Sequence, residues 1–348
     1  MGRIVDESLF KMIHDFFTVY LSNQRSCSLH TVRSYQKSLE EFLDFVKEQN
    51  QIELSSITFE MLNSTTLSSY LDSIEENGCS IATRNNRLNG IRAFFSYVAK
   101  IDTTKLIYKI DISKIPLKKQ VETEIVEYMS ETAIRTLLEQ PNPLTKKGLR
   151  DSFIMLLMYD TGARIGGIID ISICDMKIGK NPVVTLHEKG SKVHSVPIMK
   201  QTVDHFKNYM NVYHPDENLY SKAPLFYTDR KNTKAKIDNS TIRKFIKIYS
   251  DVARKECPEI PPNVHPHMLR HSRAMHLYQH GMDLTLISQW LGHSRLETTL
   301  IYAHADTEQK RKAIEAATPM DSLFSSKRNS ERFTVTDDET LKKLYGLK

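Results

Sequence analysis

The sequence predicts a mainly α-helical protein of two domains, the second of which is mixed α/β and carries a small β-hairpin or sheet. Two observations lead to this fold class. The chain has 348 residues, whereas one hydrophobic core usually encloses roughly 100 to 200 residues. Apolar residues recur at helical spacing through most of the chain, and one short stretch is instead rich in β-branched residues around a glycine.

Residues 1–110 are predicted to form a small helical domain, beginning with a helix over 9–21. The second helix has the clearest helical pattern, made by Leu29, Val32, Tyr35, Leu39, Phe42, Phe45 and Val46. A third helix over 59–74 ends at a Glu-Asn-Gly turn, and a fourth begins after Ser80, whose hydroxyl suits a helix N-cap. Short helices of this kind pack as a compact bundle.

A linker is predicted over 111–127, because the helical period is lost there and Pro116 is followed by two adjacent lysines. The second domain is predicted over 128–317. Its residues 150–159 are apolar nearly all round, as in a helix at the centre of a core. Two β-rich runs, at 183–187 and 193–198, flank a glycine and predict a β-hairpin.

Residues 318–348 are predicted to form a C-terminal tail. They are polar and Ser-rich up to a short amphipathic piece, 338–347, in which Leu341, Leu344 and Leu347 recur every three residues. Such a piece has little of its own chain to pack against. We therefore expect its apolar side to lie on a neighbouring subunit.

The charge distribution indicates a polyanionic partner more clearly than the total charge does. The net charge is only +6, but residues 84–119 contain nine Lys or Arg and two Asp. Clustered bases neutralise DNA phosphates and release counterions, so this stretch is predicted to bind DNA. A solvated helix face followed by a basic linker is the alternative. The predicted DNA contacts are Arg84, Arg87, Arg92, Lys118 and Lys119.

The sequence argues against several other classes of protein. No apolar run approaches the roughly 20 residues that span a bilayer, and the N-terminus mixes acids and bases unlike a secretory signal. The four cysteines lie far apart, in neither a zinc-binding nor a disulfide pattern. We therefore expect a cytoplasmic protein with reduced cysteines.

The segment 265–302 contains the residue types that phosphoryl transfer from DNA requires. A tyrosine hydroxyl such as that of Tyr302 has a pKa near 10, so a base or a positive field must help to remove its proton. His267 and His293 are candidates for that help. Arg270 lies one helical turn from His267, and a guanidinium matches phosphate oxygens with paired hydrogen bonds.

This segment resembles the tyrosine recombinase and integrase family. The resemblance rests on the motif PHMLRH, followed by Leu-Gly-His and, nine residues later, by Tyr302. Upstream, YDTGARIGGIIDIS resembles the segment with the family's first arginine, which falls on Arg164, and HEKGSKVHSVPI resembles the family's β-hairpin, whose lysine falls on Lys189.

The resemblance implies a catalytic set of six residues: Arg164, Lys189, His267, Arg270, His293 and Tyr302. In the family the two arginines bind the scissile phosphate and the lysine protonates the leaving 5′ oxygen. The first histidine exchanges a proton with the tyrosine nucleophile, and the second hydrogen-bonds the phosphate. Neither a metal ion nor another cofactor is implied.

The family also implies an architecture and partners. A helical core-binding domain and a catalytic domain would clamp double-stranded DNA, and a homo-tetramer would hold two DNA sites, with the tail exchanged between subunits. Accessory DNA-bending proteins are expected as further partners. The resemblance favours an integrase or transposase of a mobile element over a chromosome-dimer resolver, acting in the cytoplasm at the bacterial nucleoid.

One position departs from the family pattern. The family usually has Glu or Asp three residues after the first arginine, and here Gly167 follows Gly166. An acidic side chain there would buttress the site, so its absence is expected to loosen it. Asp170 lies on a different helical face and is a poor substitute.

Other interpretations stay open at this point. A non-catalytic DNA-binding regulator is one, because 283–298 could form a helix-turn-helix, and a type IB topoisomerase is another. Among single residues, Arg164 could pair with Asp160 one turn away. His267 and His271 could hold zinc, although HMLRH lacks an acidic base. His271 and His304 are otherwise interpreted as structural or adjacent to DNA.

Overall fold

The computed structural model describes residues 4–119, 127–188, 192–230, 233–293 and 295–305, together with the single positions or short runs 311, 314, 337–339 and 342. The chain divides into two compact units, Met1–Thr123 and Glu124–Lys348, called unit 1 and unit 2 below. The structure is mostly helical with small antiparallel sheets, as predicted. Among the described residues, no helix combines the length and apolar character needed to cross a bilayer.

Unit 1 consists of helices: α1 (Glu7–Asp15), which continues into a π-helical segment (Phe16–Gln24), α2 (Leu29–Asn50), α3 (Ser64–Glu76), α4 (Ile81–Ile101) and α5 (Leu106–Ser113). The predicted N-cap at Ser80 is confirmed, since its hydroxyl accepts a hydrogen bond from the Thr83 amide. The apolar faces of α2 and α4 form the centre of the core, where Phe42 and Phe94 are fully buried.

The predicted linker begins too early. Asp111 lies within α5 and not in an extended segment. Its carboxylate accepts a hydrogen bond of 2.8 Å from the Ser64 amide at the start of α3, and Ile112 is buried in the core of unit 1. These two contacts fix a short helix that the weak local pattern did not reveal. Residues 120–126 lie outside the described part of the chain.

Unit 2 has the following elements: α6 (Glu131–Glu139), α7 (Lys146–Thr161), α8 (Ile165–Ile169), β1 (Met176–Lys177), β2 (Val183–Glu188), β3 (Lys192–Pro197), α9 (Lys200–Tyr213), β4 (Tyr227–Arg230), β5 (Thr233–Lys236), α10 (Asn239–Glu256), α11 (Pro266–Gln279), α12 (Leu284–Trp290) and α13 (Glu297–Ala305). The predicted hairpin is confirmed as β2 and β3, which pair antiparallel from Val183 with Pro197 to Glu188 with Lys192. The turn that joins these strands, 189–191, lies outside the described residues.

The core of unit 2 surrounds α7, as the apolar run predicted, with Phe153, Ile154 and Leu157 fully buried. A smaller cluster joins α11, α12 and α13; its buried members are Ala274, Met275, Ile287, Leu291 and Tyr302. Most of the predicted tail, 318–348, lies outside the described residues.

Candidate active site

The candidate site is organised by α11. His265 is the N-cap of this helix and its Nδ1 accepts a hydrogen bond of 3.2 Å from the Met268 amide, while Pro266 occupies the first helical position. A proline there costs no hydrogen bond, because the first amides of a helix lack partners within it. The helix therefore begins at a defined residue, which places His267 and Arg270 one turn apart.

Arg270 joins two segments that the sequence assigned to the site. Its side chain is buried, and its guanidinium donates 2.6 and 2.7 Å hydrogen bonds to the carbonyl oxygens of Gly162 and Leu291. Gly162 lies two residues before Arg164, and Leu291 lies two residues before His293. The predicted arginine thus fixes the loops that carry two other predicted residues.

Arg164 is half-buried and occupies the N-cap position of α8. The turn before it contains Gly162 at φ +63°, a conformation that glycine adopts without strain. In the described part of the chain, Asp160 does not form the alternative pair with Arg164. Its carboxylate instead accepts hydrogen bonds from Arg273, the Met199 amide and Thr202.

Gly167 lies buried on α8, at the position where the family has an acid. A Cβ atom there would lie 3.8 Å from the carbonyl oxygen of His187, which is an ordinary contact. The fold therefore leaves room for a side chain at this position. Asp170, at the end of α8, forms an ion pair with Lys236.

His293 follows the glycine of the Leu-Gly-His motif, and its Nδ1 lies 2.8 Å from the Thr299 hydroxyl. Gly292 has φ +65°, and a Cβ atom there would lie 2.8 Å from the His194 ring of β3. Both the backbone conformation and this close approach require glycine. Burial and the charges of Arg270 and Arg164 lower the pKa of His293 to about 4.

Tyr302 lies on α13 with 1% of its surface exposed. Its hydroxyl is 3.0 Å from Nδ1 of His271. Burial raises the pKa of Tyr302 to about 12, while the charges of Arg270 and Arg164 act in the opposite direction. Both arginines are therefore close enough to stabilise a tyrosinate.

His267 is affected by the same charges. Burial lowers its pKa, and Arg270, His265, Arg164 and Arg243 lower it further. A neutral imidazole can accept a proton, as the role assigned to His267 requires.

The structure brings together five of the six predicted residues: Arg164, His267, Arg270, His293 and Tyr302. Lys189 lies outside the described residues, as does the side chain of His304. The sequence reasoning missed His271 as the hydrogen-bond partner of Tyr302. Its position four residues after His267, on the same face of α11, was the available signal.

The structure corrects one of the predicted DNA contacts of unit 1, that of Arg84, and leaves those of Arg87 and Arg92 as predictions. Arg84 is only 4% exposed and donates a 2.8 Å hydrogen bond to the Pro116 carbonyl, so the prediction that it lies on DNA is wrong. Arg87 is 2.7 Å from Glu41 in an ion pair. Arg92 donates to the Ser113 and Ile115 carbonyls.

The two lysines differ from these arginines. Lys118 forms an ion pair with Glu75 and remains partly exposed. Lys119 is exposed, and its contact with DNA stays a prediction.

Comparison with known proteins gives consistent matches over both units. Residues 127–309 match the model of the phage integrase family, and residues 15–100 match that of the phage integrase N-terminal SAM-like domain. Tyrosine recombinase XerC of Staphylococcus aureus is 30% identical, with 88% of this chain and 96% of that protein covered. Tyrosine recombinase XerA of Thermococcus kodakarensis is 28% identical, over 88% and 96%.

Solved structures share the fold. The XerH site-specific recombinase bound to a palindromic difH substrate, in a post-cleavage complex, has a TM-score of 0.66 at 21% identity and covers 90% of both chains. The Tn1549 transposon integrase in complex with transposon right end DNA has a TM-score of 0.62 at 16% identity, covering 87% of this chain and 98% of that one.

Proposed function

The chain belongs to the phage integrase family of tyrosine recombinases, and we propose that it integrates or excises a mobile element through a 3′-phosphotyrosine bond at Tyr302. One observation carries the proposed chemistry at Tyr302. The side chain of Arg270 hydrogen-bonds the loops that lead to Arg164 and His293, while the next residue of the same helix hydrogen-bonds Tyr302. The groups that we propose to bind the phosphate and the proposed nucleophile therefore lie close together in the fold, although they come from separate parts of the sequence.

The proposed cleavage step is a transesterification. The Tyr302 oxygen attacks the scissile phosphorus, a new P–O bond to tyrosine forms, and the bond to the 5′ oxygen breaks. The tyrosine proton passes to His267, and Lys189 supplies a proton to the leaving 5′ oxygen. Arg164, Arg270 and His293 hold the non-bridging oxygens, on which negative charge develops.

Rejoining reverses these steps. A free 5′-hydroxyl from another strand attacks the phosphotyrosine, which releases Tyr302 and restores a phosphodiester. The covalent bond conserves the energy of the broken linkage, so the chemistry proceeds without a nucleotide cofactor or a metal ion.

The proposed assembly is a homo-tetramer on two double-stranded DNA sites, with the tail 318–348 exchanged between neighbours. A lambda integrase of the same fold has been solved as a tetramer bound to a Holliday junction, with a TM-score of 0.54. The likeness to a transposon integrase supports the mobile-element role. Accessory DNA-bending proteins and a location at the nucleoid complete the proposal.

A nicked suicide substrate tests the chemistry. Duplexes selected for binding from a random DNA pool would be nicked just past the cleavage site, so that the 5′ fragment diffuses away and the covalent complex accumulates. We expect the wild type to form a complex that survives denaturing electrophoresis. Tyr302→Phe should bind the same DNA and form none. DNA binding by the wild type without any covalent complex would instead favour a non-catalytic regulator.

A further inference from the structure

A directed contact holds the side chain of the proposed nucleophile in place. The Tyr302 ring packs in the apolar cluster with Met275, Ile287 and Leu291. Among the described residues, the hydrogen-bond partner of its hydroxyl is Nδ1 of His271, at 3.0 Å, with the two ring centroids 5.9 Å apart. Apolar packing is non-directional, so the hydrogen bond is what specifies where the oxygen atom lies.

We propose that His271 positions the Tyr302 hydroxyl relative to the phosphate-binding arginine, a role separate from the proton exchange assigned to His267. This inference rests on the proposed function, because it concerns the same cleavage step.

The placement of His271 within α11 supports this role. It directly follows Arg270, whose guanidinium is fixed by the carbonyl oxygens of Gly162 and Leu291. Adjacent residues of one helix therefore hold the phosphate-binding group and the attacking oxygen. A misplacement of about 1 Å between reacting groups can reduce a rate by about 100-fold. A shared rigid helix is a direct way to limit that error.

The charges around His271 separate positioning from proton transfer. Burial lowers the pKa of His271 to about 4, and His267, Arg270 and His265 add to this effect. Burial raises the pKa of Tyr302 to about 12. Proton transfer from Tyr302 to His271 is therefore unfavourable, and His271 acts as a neutral hydrogen-bond partner.

The chain offers a matched control on the same helix. His276 is buried, and its Nδ1 lies 2.8 Å from the hydroxyl of Tyr159. This second pair makes the same contact between Nδ1 and a hydroxyl, with the histidine buried and the tyrosine half-buried instead of the reverse, and Tyr159 is not the proposed nucleophile. Loss of the His276 bond reports the structural contribution of such a pair.

The test measures the rate of covalent complex formation on the nicked duplex at equal DNA occupancy. His271→Leu removes the hydrogen bond, and we expect a fall of about 100-fold. His271→Asn places an amide near the position of Nδ1 and should stay within about 10-fold of the wild type. His271→Gln places the amide about one bond further away and should resemble Leu. His276→Leu should lower the melting temperature and leave the rate within about 3-fold.

A second substrate locates the defect. A 5′-bridging phosphorothiolate has a sulfur leaving group that departs without a proton. It should relieve the defect of Lys189→Ala and leave that of His271→Leu unchanged, because His271 acts on the nucleophile.

The outcomes distinguish the inference from the proposed function. If the wild type binds DNA but forms no covalent complex, the proposed function fails and the inference fails with it. If the wild type forms the complex and all three His271 variants react alike, only the inference is overturned. Should His271→Leu not fold, equal rates for the Asn and Gln variants overturn it by themselves.

Discussion

Helices α4 and α11 both carry arginines near the centre of a unit, and they use them differently. In α4, Arg84 and Arg92 donate to backbone carbonyls of the segment 113–116, which leads out of the helical bundle. In α11, Arg270 donates to the carbonyls of Gly162 and Leu291. The chemistry of the contacts is the same, but the segments they fix have different functions.

The role of a buried or half-buried arginine therefore depends on which segment its hydrogen bonds hold in place. Arg84 and Arg92 of α4 hold the segment 113–116 of unit 1 in place and so stabilise the fold of that unit. Arg270 fastens the loops that lead to Arg164 and His293, and so serves the site. Equivalent substitutions in the two helices should therefore affect stability alike and catalysis differently.

The largest difference in cleavage between two matched variants is expected for Arg270→Lys and Arg92→Lys. Lysine keeps the charge but cannot bridge two carbonyl oxygens with a planar fork. Arg270→Lys should reduce covalent complex formation by about 100- to 1,000-fold, as does the loss of a transition-state donor. Arg92→Lys should destabilise unit 1 by about 1 kcal/mol and leave cleavage within about 3-fold. Equal losses of cleavage would show that α4 also serves the site.

Glycine substitutions test the backbone of the two units. Gly78 and Gly292 both have positive φ, at 84° and 65°, but of the two only Gly292 faces a neighbour, since a Cβ atom there would lie 2.8 Å from the His194 ring. Gly78→Ala should cost about 1 kcal/mol, whereas Gly292→Ala should cost about 2 to 4 kcal/mol. Urea denaturation measures both values. A Gly292→Ala variant no less stable than Gly78→Ala would show that the His194 contact is readily relieved.

Acid should weaken unit 2 more than unit 1. The pKa values of His271 and His293 are lowered to about 4 from 6.5, so the unfolded chain takes up protons at a higher pH than the folded protein does. Stability is therefore fully present above about pH 6.5 and is lost as the pH falls towards 4. After a discount for partial exposure, we expect a loss of about 1 to 3 kcal/mol between pH 7 and pH 5.

The single tryptophan, Trp290, packs in the cluster beside Tyr302, so its fluorescence reports on unit 2. Unit 1 contributes only His14 and His30, both exposed. On acidification, unit 2, followed by Trp290 fluorescence, should lose more thermal stability than unit 1. The stability of unit 1 is followed by the hydrogen exchange of its helical amides. His271→Asn should retain less of this acid sensitivity. Parallel losses in both units would contradict the histidine explanation.

The smallest effect is expected at Gly167. Its Cβ position is open, with the His187 carbonyl oxygen at 3.8 Å, whereas a Cβ at Gly90 of α4 would lie 2.8 Å from the Ser38 hydroxyl. Gly167→Ala should stabilise the protein by about 0.5 to 1 kcal/mol, because alanine favours the helix. Gly90→Ala should destabilise it by about 1 to 3 kcal/mol. A destabilised Gly167→Ala would show that the site needs the glycine itself.

The helices and the hairpin could be predicted because their signals are local. The apolar spacing of α2 and the Ser80 cap depend on residues within a few positions of each other. The helix α5 escaped prediction because its evidence is distant: Asp111 contacts the Ser64 amide, 47 residues earlier in the chain.

The residues of the candidate site could be predicted more completely than the roles of the arginines on α4. The reason is again whether the evidence is available from the sequence. Six site residues are identified through their joint resemblance to one family, which already encodes a three-dimensional arrangement, and the structure brings five of them together. The role of Arg84 depended on a carbonyl 32 residues away, and a count of charges contains no such information. His271 is interpreted from the sequence as structural or adjacent to DNA, because its contact with Tyr302, 31 residues later, is likewise visible only in the fold.

The contacts of Arg270 also bear on how such a site diverges during evolution. Its partners are main-chain oxygens, which every amino acid supplies, so the side chains at positions 162 and 291 contribute nothing to these two bonds. The loops can accumulate substitutions as long as their backbone path is kept. Gly162 and Gly292 are the exceptions, since both have positive φ. A Cβ atom at Gly162 would lie 2.7 Å from the Leu291 side chain, and one at Gly292 would lie 2.8 Å from the His194 ring. The site therefore requires a few specific residues and a preserved backbone conformation, and it tolerates substitution in the residues between them.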